Sequence, residues 1–185
     1  MNLEVIKDVG KLEVLQKGEL ICTEGQEGKC LFILLKGVAE VILDSFSDSV
    51  QSVQMLQAGS VFGEMSLLEG KPRLASVIVR SEEAIVARIE KEDFWEIIRK
   101  QPEIVHMLLC NLNNRLNHML DLLEPYDKRY VYQYRKQEIY QTIQKMDQET
   151  LNQICEKDER YVWSLLKFAS SSLDKLNQLY VQREG

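Results

Sequence analysis

The chain has 185 residues, of which 45% are hydrophobic and 28% are charged, as is ordinary for a globular protein with one main domain and a smaller extension. No apolar run approaches the ~20 residues that a membrane-spanning helix needs, and no basic stretch followed by an apolar one marks a secretory signal, so we expect a cytoplasmic protein. The net charge of −6 argues against unselective binding to nucleic-acid phosphates.

Charge, glycine and tyrosine are unevenly distributed along the chain. Residues 1–124 carry 13 Lys and Arg against 20 Asp and Glu, a net −7, whereas residues 125–185 carry 10 against 9, a net +1. Eight of the nine glycines lie at or before Gly70, and all seven tyrosines lie at or after Tyr126. We therefore predict two domains, residues 1–124 and a helical extension over residues 125–185.

Short strand-like segments, separated by Gly, Ser and Asp, fill the first half of the chain. In chain order they are KLEVLQ, ELICTE, LFILLKG, AEVILD, SVQSVQML, ASVIVRS and EAIVARIE. Seven or eight short strands predict a mainly β fold of the sandwich or jelly-roll type.

Helical periodicity begins near Lys91, where an amphipathic segment ends before Pro102. A helix over residues 103–123 follows, because apolar residues recur there at spacings of three and four. Its apolar stripe includes Ile104, Leu108, Leu112, Leu116 and Leu123.

Three further helical segments are predicted after Pro125. Residues 126–146 have a helical pattern, and Asp147 and Asp158 have the side chains expected of N-caps for a short helix and a last helix. No glycine lies between Gly70 and Gly185 to form the tight turn of a helix-turn-helix, so we do not expect a DNA-reading domain here.

The segment FGEMSLLEGKPRLASV, residues 62–77, combines features that suit a sugar phosphate. A glycine-started turn into a short helix over residues 64–69 exposes unpaired N–H groups that attract an anion. The guanidinium of Arg73 can bind two phosphate oxygens at once, which a lysine cannot do. The carboxylate of Glu64 can accept a hydrogen bond from a sugar hydroxyl.

This segment resembles the phosphate cassette of the cyclic-nucleotide-binding domain family, which kinase regulatory subunits, gated channels and catabolite-activator regulators share. The family pattern is Phe-Gly-Glu, a small residue, Leu, a spacer and then Pro-Arg-x-Ala-Thr/Ser, and FGEMSLLEGKPRLAS matches each place. Upstream, GELICTEGQEGKCLFILLKGVAEV is similar to the family's pattern of turns and strands. The resemblance covers about residues 10–120 and implies an antiparallel β-roll followed by helices.

The resemblance also implies roles for individual residues. Glu64 is expected to accept the ribose 2′-OH, and Arg73 is expected to pair with the cyclic phosphate. Leu74 implies cAMP rather than cGMP, since guanine-preferring members tend to carry Thr after the arginine. The other expected binding residues shape the turn, offer amides to the phosphate, or pack on the sugar or base: Gly63, Met65, Ser66, Ala75, Ser76, Val41 and Val53.

The resulting hypothesis is a non-catalytic sensor of cAMP, or of cGMP, that relays ligand occupancy through its C-terminal helices to a protein partner. Helix 103–123 is expected to pair with its copy in a homodimer and to cover the ligand, with Asn113, Asn114 and Asn117 facing a base. The family's N-terminal helical segment is expected to be short or missing, which favours the C-terminal side as the relay.

Two alternatives remain open at this stage. One is a DNA-binding regulator with a divergent tail, for which the cluster of Lys128, Arg129, Arg135 and Lys136 would supply contacts, although a solvated helix face explains the cluster more simply. The other is a scaffold without ligand, in which Glu64 and Arg73 form an internal ion pair. Cysteines and histidines are scattered without metal-ligand spacing, so we expect neither a metal site nor an enzyme.

Overall fold

A computed structural model of the chain describes residues 3–43 and 51–184. It contains two compact units, Met1–Gln101 and Pro102–Gly185. The predicted strand segments AEVILD and SVQSVQML extend in part into residues 44–50, which lie outside the described residues.

The described residues of the first unit form eight strands. Helices α1 (Leu3–Val9), α2 (Glu64–Glu69) and α3 (Phe94–Lys100) precede, interrupt and follow them. The strands are β1 (Lys11–Gln16), β2 (Leu20–Cys22), β3 (Cys30–Lys36), β4 (Val38–Leu43), β5 (Gln51–Gln57), β6 (Val61–Phe62), β7 (Ser76–Val79) and β8 (Glu83–Glu90). The boundaries predicted for KLEVLQ and EAIVARIE coincide with β1 and β8.

The strands pair antiparallel in two four-stranded sheets, ordered β1-β8-β3-β6 and β2-β7-β4-β5. Alternate residues from both sheets enter one apolar core, as the period of two along a strand requires. This core contains Ile21, Cys30, Phe32, Leu34, Ala39, Leu56, Phe62, Val77, Val79, Ala84 and Val86. The structure thus confirms the antiparallel β-roll.

Gly37 shows why turn residues punctuate this sequence so reliably. It joins β3 to β4 with a φ of +93°, a conformation that favours glycine. A Cβ atom at this position would also lie 2.5 Å from the carbonyl oxygen of Glu83. The strand change at residue 37 therefore requires a glycine on two separate grounds.

The second unit is entirely helical in its described residues. Its helices are α4 (Glu103–Leu123), α5 (Lys128–Arg135), α6 (Glu138–Lys145), α7 (Gln148–Lys157) and α8 (Glu159–Glu184). Helix α4 has the predicted bounds. The predicted caps are also found, because Asp147 accepts a hydrogen bond from the Thr150 amide at 2.8 Å and Asp158 accepts one from the Tyr161 amide at 3.1 Å. No helix of the described residues is long and apolar enough to cross a bilayer.

The segment predicted as one helix over residues 126–146 is two helices in the structure. Gln137 is extended, with φ −64° and ψ 134°, and it separates α5 from α6. The side chain of Gln141 donates to the carbonyl oxygen of Arg135 at 2.6 Å, so one of the carbonyls left without a helical partner by the break is satisfied. Neither Gly nor Pro marks the break, which is why the sequence pattern did not show it.

Helix α4 groups with the C-terminal helices because α8 packs along it. The stripe predicted on α4 is buried, and α8 contributes a matching stripe at spacings of three and four. Its buried apolar residues are Val162, Leu165, Leu166, Ala169, Leu173 and Leu176. The structural units therefore divide at Gln101, whereas the predicted domains divide at residue 124, and the predicted division stays a functional hypothesis.

Candidate cyclic-nucleotide site

The predicted cassette lies between β6 and β7 and includes α2. Gly63 precedes α2 with a φ of +76°, and a Cβ atom there would lie 2.6 Å from Nη1 of Arg73. A larger residue would therefore strain the backbone and displace the guanidinium. The role predicted for Gly63, shaping the turn, has a specific physical basis.

Arg73 is the central charged residue of the cassette. It is only 6% exposed, and its guanidinium donates from Nη1 to the carbonyl oxygen of Gly63 at 2.6 Å. Nη2 donates to the carbonyl oxygen of Cys30 at 2.8 Å and to its Sγ at 3.1 Å. The guanidinium carbon also lies 5.2 Å from the ring centre of Phe32, within cation–π range.

These partners of Arg73 are all neutral. In the part of the chain that the structure describes, no carboxylate forms an ion pair with the guanidinium, so the Glu64–Arg73 pair expected of a ligand-free scaffold is not formed. The three hydrogen bonds engage at most three of the five N–H groups of the guanidinium. At least two N–H groups thus remain for an anion.

The loop before β3 holds the cassette in place. The amide of Arg73 donates to the carbonyl oxygen of Gln26 at 2.8 Å, and the amide of Gly25 donates to the carbonyl oxygen of Arg73 at 2.9 Å. A Cβ atom at Gly28 would collide with that of Ser66 and come within 2.9 Å of Nε of Arg73. Gly28 therefore allows a close approach between this loop and the cassette, whereas Gly25 contributes a positive φ of +79°.

The first three residues of α2 are buried. Glu64, Met65 and Ser66 are 5%, 6% and 3% exposed. The hydroxyl of Ser66 donates to the carbonyl oxygen of Pro72 at 3.3 Å, which links the two ends of the cassette. The roles predicted for Met65 and Ser66 in the binding turn and the ribose contact of Glu64 stay predictions.

After Arg73 the chain leaves the turn and enters β7. Leu74 is 44% exposed, Ala75 is half-buried, and Ser76 is fully buried. The hydroxyl oxygen of Ser76 accepts a hydrogen bond from the Glu24 amide at 2.8 Å, so this side chain helps to hold the loop before β3. Phosphate contacts by the amides of Ala75 and Ser76 stay predictions.

The two valines predicted to pack on the sugar or base have different positions. Val41 pairs with Val77 and packs against the apolar core. Val53 is 56% exposed, and it lies at a register shift of β5 between Ser52 and Gln54. The structure thus brings Val41, but not Val53, to the core face of the sheet.

Cys30 and Phe32 are site residues that the sequence analysis missed. They precede the cassette by about 30 residues, and the pairing of Phe32 with Phe62 across β3 and β6 brings them to it. Burial raises the pKa of the Cys30 thiol, although Arg73 opposes the shift, and burial raises the pKa of Cys22 to about 11. Both thiols are therefore neutral at pH 7. Among the described residues, no group of three or more His, Cys, Asp or Glu side chains is placed to hold a metal ion.

In the helical unit, two of the three amides predicted to face a base have other partners, and the third, Asn114, is exposed. Asn113 accepts from the Gln144 side chain at 2.5 Å, and Asn117 accepts from the Tyr140 hydroxyl at 2.5 Å. These contacts join α4 to α6. A base contact through either of these side-chain oxygens would compete with the contact to α6.

The predicted basic cluster is smaller than its sequence suggests. Arg135 pairs with Asp121 at 2.5 Å and with Glu124 at 3.3 Å. Lys128, Arg129 and Lys136 are exposed, and the ammonium of Lys136 lies 4.4 Å from the ring centre of Tyr132. Two of these exposed cations lie in the first turn of α5 and the third follows its last residue, and a contact of this cluster with nucleic acid stays a hypothesis.

Comparison with known proteins identifies the family. The family described as "Cyclic nucleotide-binding domain" matches residues 12–101. Human cGMP-dependent protein kinase 2 is 32% identical over 116 residues, which cover 60% of this chain and 15% of the kinase. The cyclic AMP receptor protein of Thermus thermophilus is 30% identical over 110 residues, covering 58% of this chain and 50% of the receptor. The matched segments thus span half or less of these relatives.

Solved structures agree on the fold. A transcriptional regulator from Thermotoga maritima has a TM-score of 0.59 at 19% identity, covering 70% of this chain and 100% of the regulator. A cyclic nucleotide-binding domain from Methylobacillus flagellatus has a TM-score of 0.54 at 24% identity, covering 68% of this chain and 74% of the other. Fold, cassette and family match agree, and residues 12–101 belong to the cyclic nucleotide-binding domain family.

Proposed function

We propose that this protein is a non-catalytic, cytoplasmic sensor that binds cAMP in its β-roll and relays occupancy through its C-terminal helices to a protein partner. The single observation that carries the ligand is the environment of Arg73. A cation that is 6% exposed and has only neutral protein partners is costly, because burial removes its hydration without a compensating charge. A cyclic phosphate supplies that negative charge, and its oxygens can accept hydrogen bonds from the remaining N–H groups of Arg73.

Calorimetric titration with cAMP, cGMP and a cyclic dinucleotide tests the ligand. We expect saturable binding of the two mononucleotides with a stoichiometry of about one, because the cassette holds one arginine suited to one phosphate. Absence of heat with all three ligands at high protein concentration would instead favour the ligand-free scaffold.

We further propose that the helical unit is the output of the sensor. Helix α4 directly follows the residues that the family match covers, and α8 and α6 dock on it through the apolar stripe and the amide contacts described above. A shift of α4 on ligand binding would therefore be transmitted to the helices it carries. Hydrogen exchange of residues 103–125 with and without cAMP tests this, and exchange unchanged at saturating ligand would refute the relay.

Pairing of helix 103–123 with its copy also remains a proposal. A roll alone would cover only part of the apolar stripe, and a second copy of the helix could cover the rest. In the structure Leu112 and Leu116 are fully buried, and α8 packs along their helix, so the stripe no longer requires a second chain. A homodimer through this stripe would displace α8 from α4. If sedimentation shows a dimer at tens of micromolar, hydrogen exchange in residues 159–184 should therefore be faster than in the monomer.

The DNA-binding alternative is tested by a mobility-shift assay. We expect only weak binding that disappears as salt rises, because three exposed cations can attract phosphates without reading a sequence. Sequence-dependent binding below micromolar concentration at moderate salt would favour the alternative.

A further inference from the structure

The contacts of Arg73 assign a specific role to Cys30. Two of the three hydrogen bonds of the guanidinium end on this one residue, at its carbonyl oxygen and its Sγ. The carbonyl contact is available to any residue type at position 30. The thiol contact is specific to the side chain present in this protein.

The side chain of Cys30 is held firmly enough to orient a partner. It is 3% exposed and lies on the core face of β3 together with Phe32 and Leu34. The ring of Phe32, which lies under the guanidinium, stacks on Phe62 with ring centres 5.4 Å apart. The thiol and the ring thus form two fixed contacts to a side chain with four rotatable bonds, and they restrict the rotamers of Arg73.

We propose that Cys30 is a positioning residue that holds the Arg73 guanidinium, through its thiol, in the rotamer that offers the remaining N–H groups to the phosphate of the ligand. The inference rests on the proposed function, since it assumes that the ligand carries a phosphate. A neutral thiol suits this role because it accepts a hydrogen bond only weakly. A carboxylate at the same place would neutralise Arg73 and compete with the ligand.

The chain offers a matched control for this role. Cys22 is a second thiol that packs against the same apolar core, and its replacement by valine adds a similar volume. We expect Cys30→Val to weaken cAMP binding about three- to tenfold, less than the loss of a full charged hydrogen bond because the carbonyl contact of residue 30 remains. Cys30→Ser, which restores an acceptor, should stay within about twofold of the wild type, and so should Cys22→Val.

A spectroscopic measurement separates positioning from a loss of packing. In protein labelled with ¹⁵N-arginine and free of ligand, we expect slowly exchanging Nη protons for Arg73, assigned by their loss in Arg73→Lys. These signals should be retained in Cys22→Val and Cys30→Ser and be broadened or lost in Cys30→Val. Cys30→Ala serves as a second test if the valine variant fails to fold by circular dichroism.

The outcomes distinguish this inference from the proposed function. A wild type that binds neither cAMP nor cGMP overturns the proposed function, and the positioning role falls with it. A wild type that binds, together with a Cys30→Val variant of unchanged affinity and unchanged Arg73 signals, overturns the role of Cys30 alone. Equal weakening by Cys30→Val and Cys22→Val also overturns it, because packing would then explain both.

Discussion

The β-roll and the helical unit differ in how closely local sequence determines their structure. In the roll, the predicted segments correspond to β1–β5, β7 and β8, because glycines occupy turns where other residues would clash or be strained, as at Gly37. In the helical unit, periodicity predicted α4 and the cap at Asp158 predicted the last helix, but neither showed that α8 packs on α4. Turn chemistry is a local property of the chain, whereas the partner of an apolar stripe depends on which other stripe the chain brings to it.

The largest expected effect concerns the roll. Arg73→Ala should weaken cAMP binding by about 2–5 kcal/mol, the range for truncating one member of a buried charge pair. The matched control is Arg80→Ala, since Arg80 forms a surface ion pair with Glu40 and pairs of that kind contribute at most about 1 kcal/mol. Calorimetric titration of both variants checks the prediction, and equal affinity of Arg73→Ala and wild type would remove the argument from the cassette.

A comparable effect is expected on the folding of the helical unit. Leu112 is fully buried in a single chain, so Leu112→Ala should lower the free energy of unfolding by about 2–5 kcal/mol. Leu12→Ala is the control, because Leu12 is 39% exposed and surface changes usually stay within about 0.5 kcal/mol. Urea unfolding measures both. An unchanged midpoint in Leu112→Ala would contradict the packing of α8 on α4.

A smaller effect is expected where polar contacts join α6 to α4. Tyr140→Phe removes the hydroxyl that donates to Asn117 and should cost about 0.5–1.5 kcal/mol of stability. Tyr132→Phe is the control, since Tyr132 is 59% exposed. Urea unfolding again gives the comparison. Equal midpoints for the two variants would show that the contact between Tyr140 and Asn117 does not hold the helices together.

Within the site, the residues that lie close together in sequence were predictable and the distant ones were not. Gly63, Glu64 and Arg73 belong to one continuous motif, so their types and spacing identified the cassette. Cys30 and Phe32 reach it through a strand, β6, of only two residues, which is too short for alternation to reveal. Val53 lies on the exposed face of β5 together with Met55, whereas Leu56 faces the core, and the resemblance that suggested Val53 did not determine which residues of β5 face inward.

The smallest expected effect is the choice between bases. We expect cAMP to bind more tightly than cGMP by less than tenfold, about 1.4 kcal/mol, because adenine is often held by stacking and shape with few polar contacts. Leu74 is 44% exposed and has no hydroxyl to accept a hydrogen bond from the amino group of guanine.

Two substitutions test the part played by this hydroxyl. Leu74→Thr supplies it and should reduce or reverse the preference for cAMP. Leu74→Val introduces a side chain of nearly the same shape as threonine but without a hydroxyl, so it should leave the preference unchanged. Competition titrations of the two nucleotides against a fluorescent analogue measure the ratio for all three proteins. Tighter binding of cGMP by the wild type would refute the preference, and equal changes in the Thr and Val variants would show that shape rather than the hydroxyl decides it.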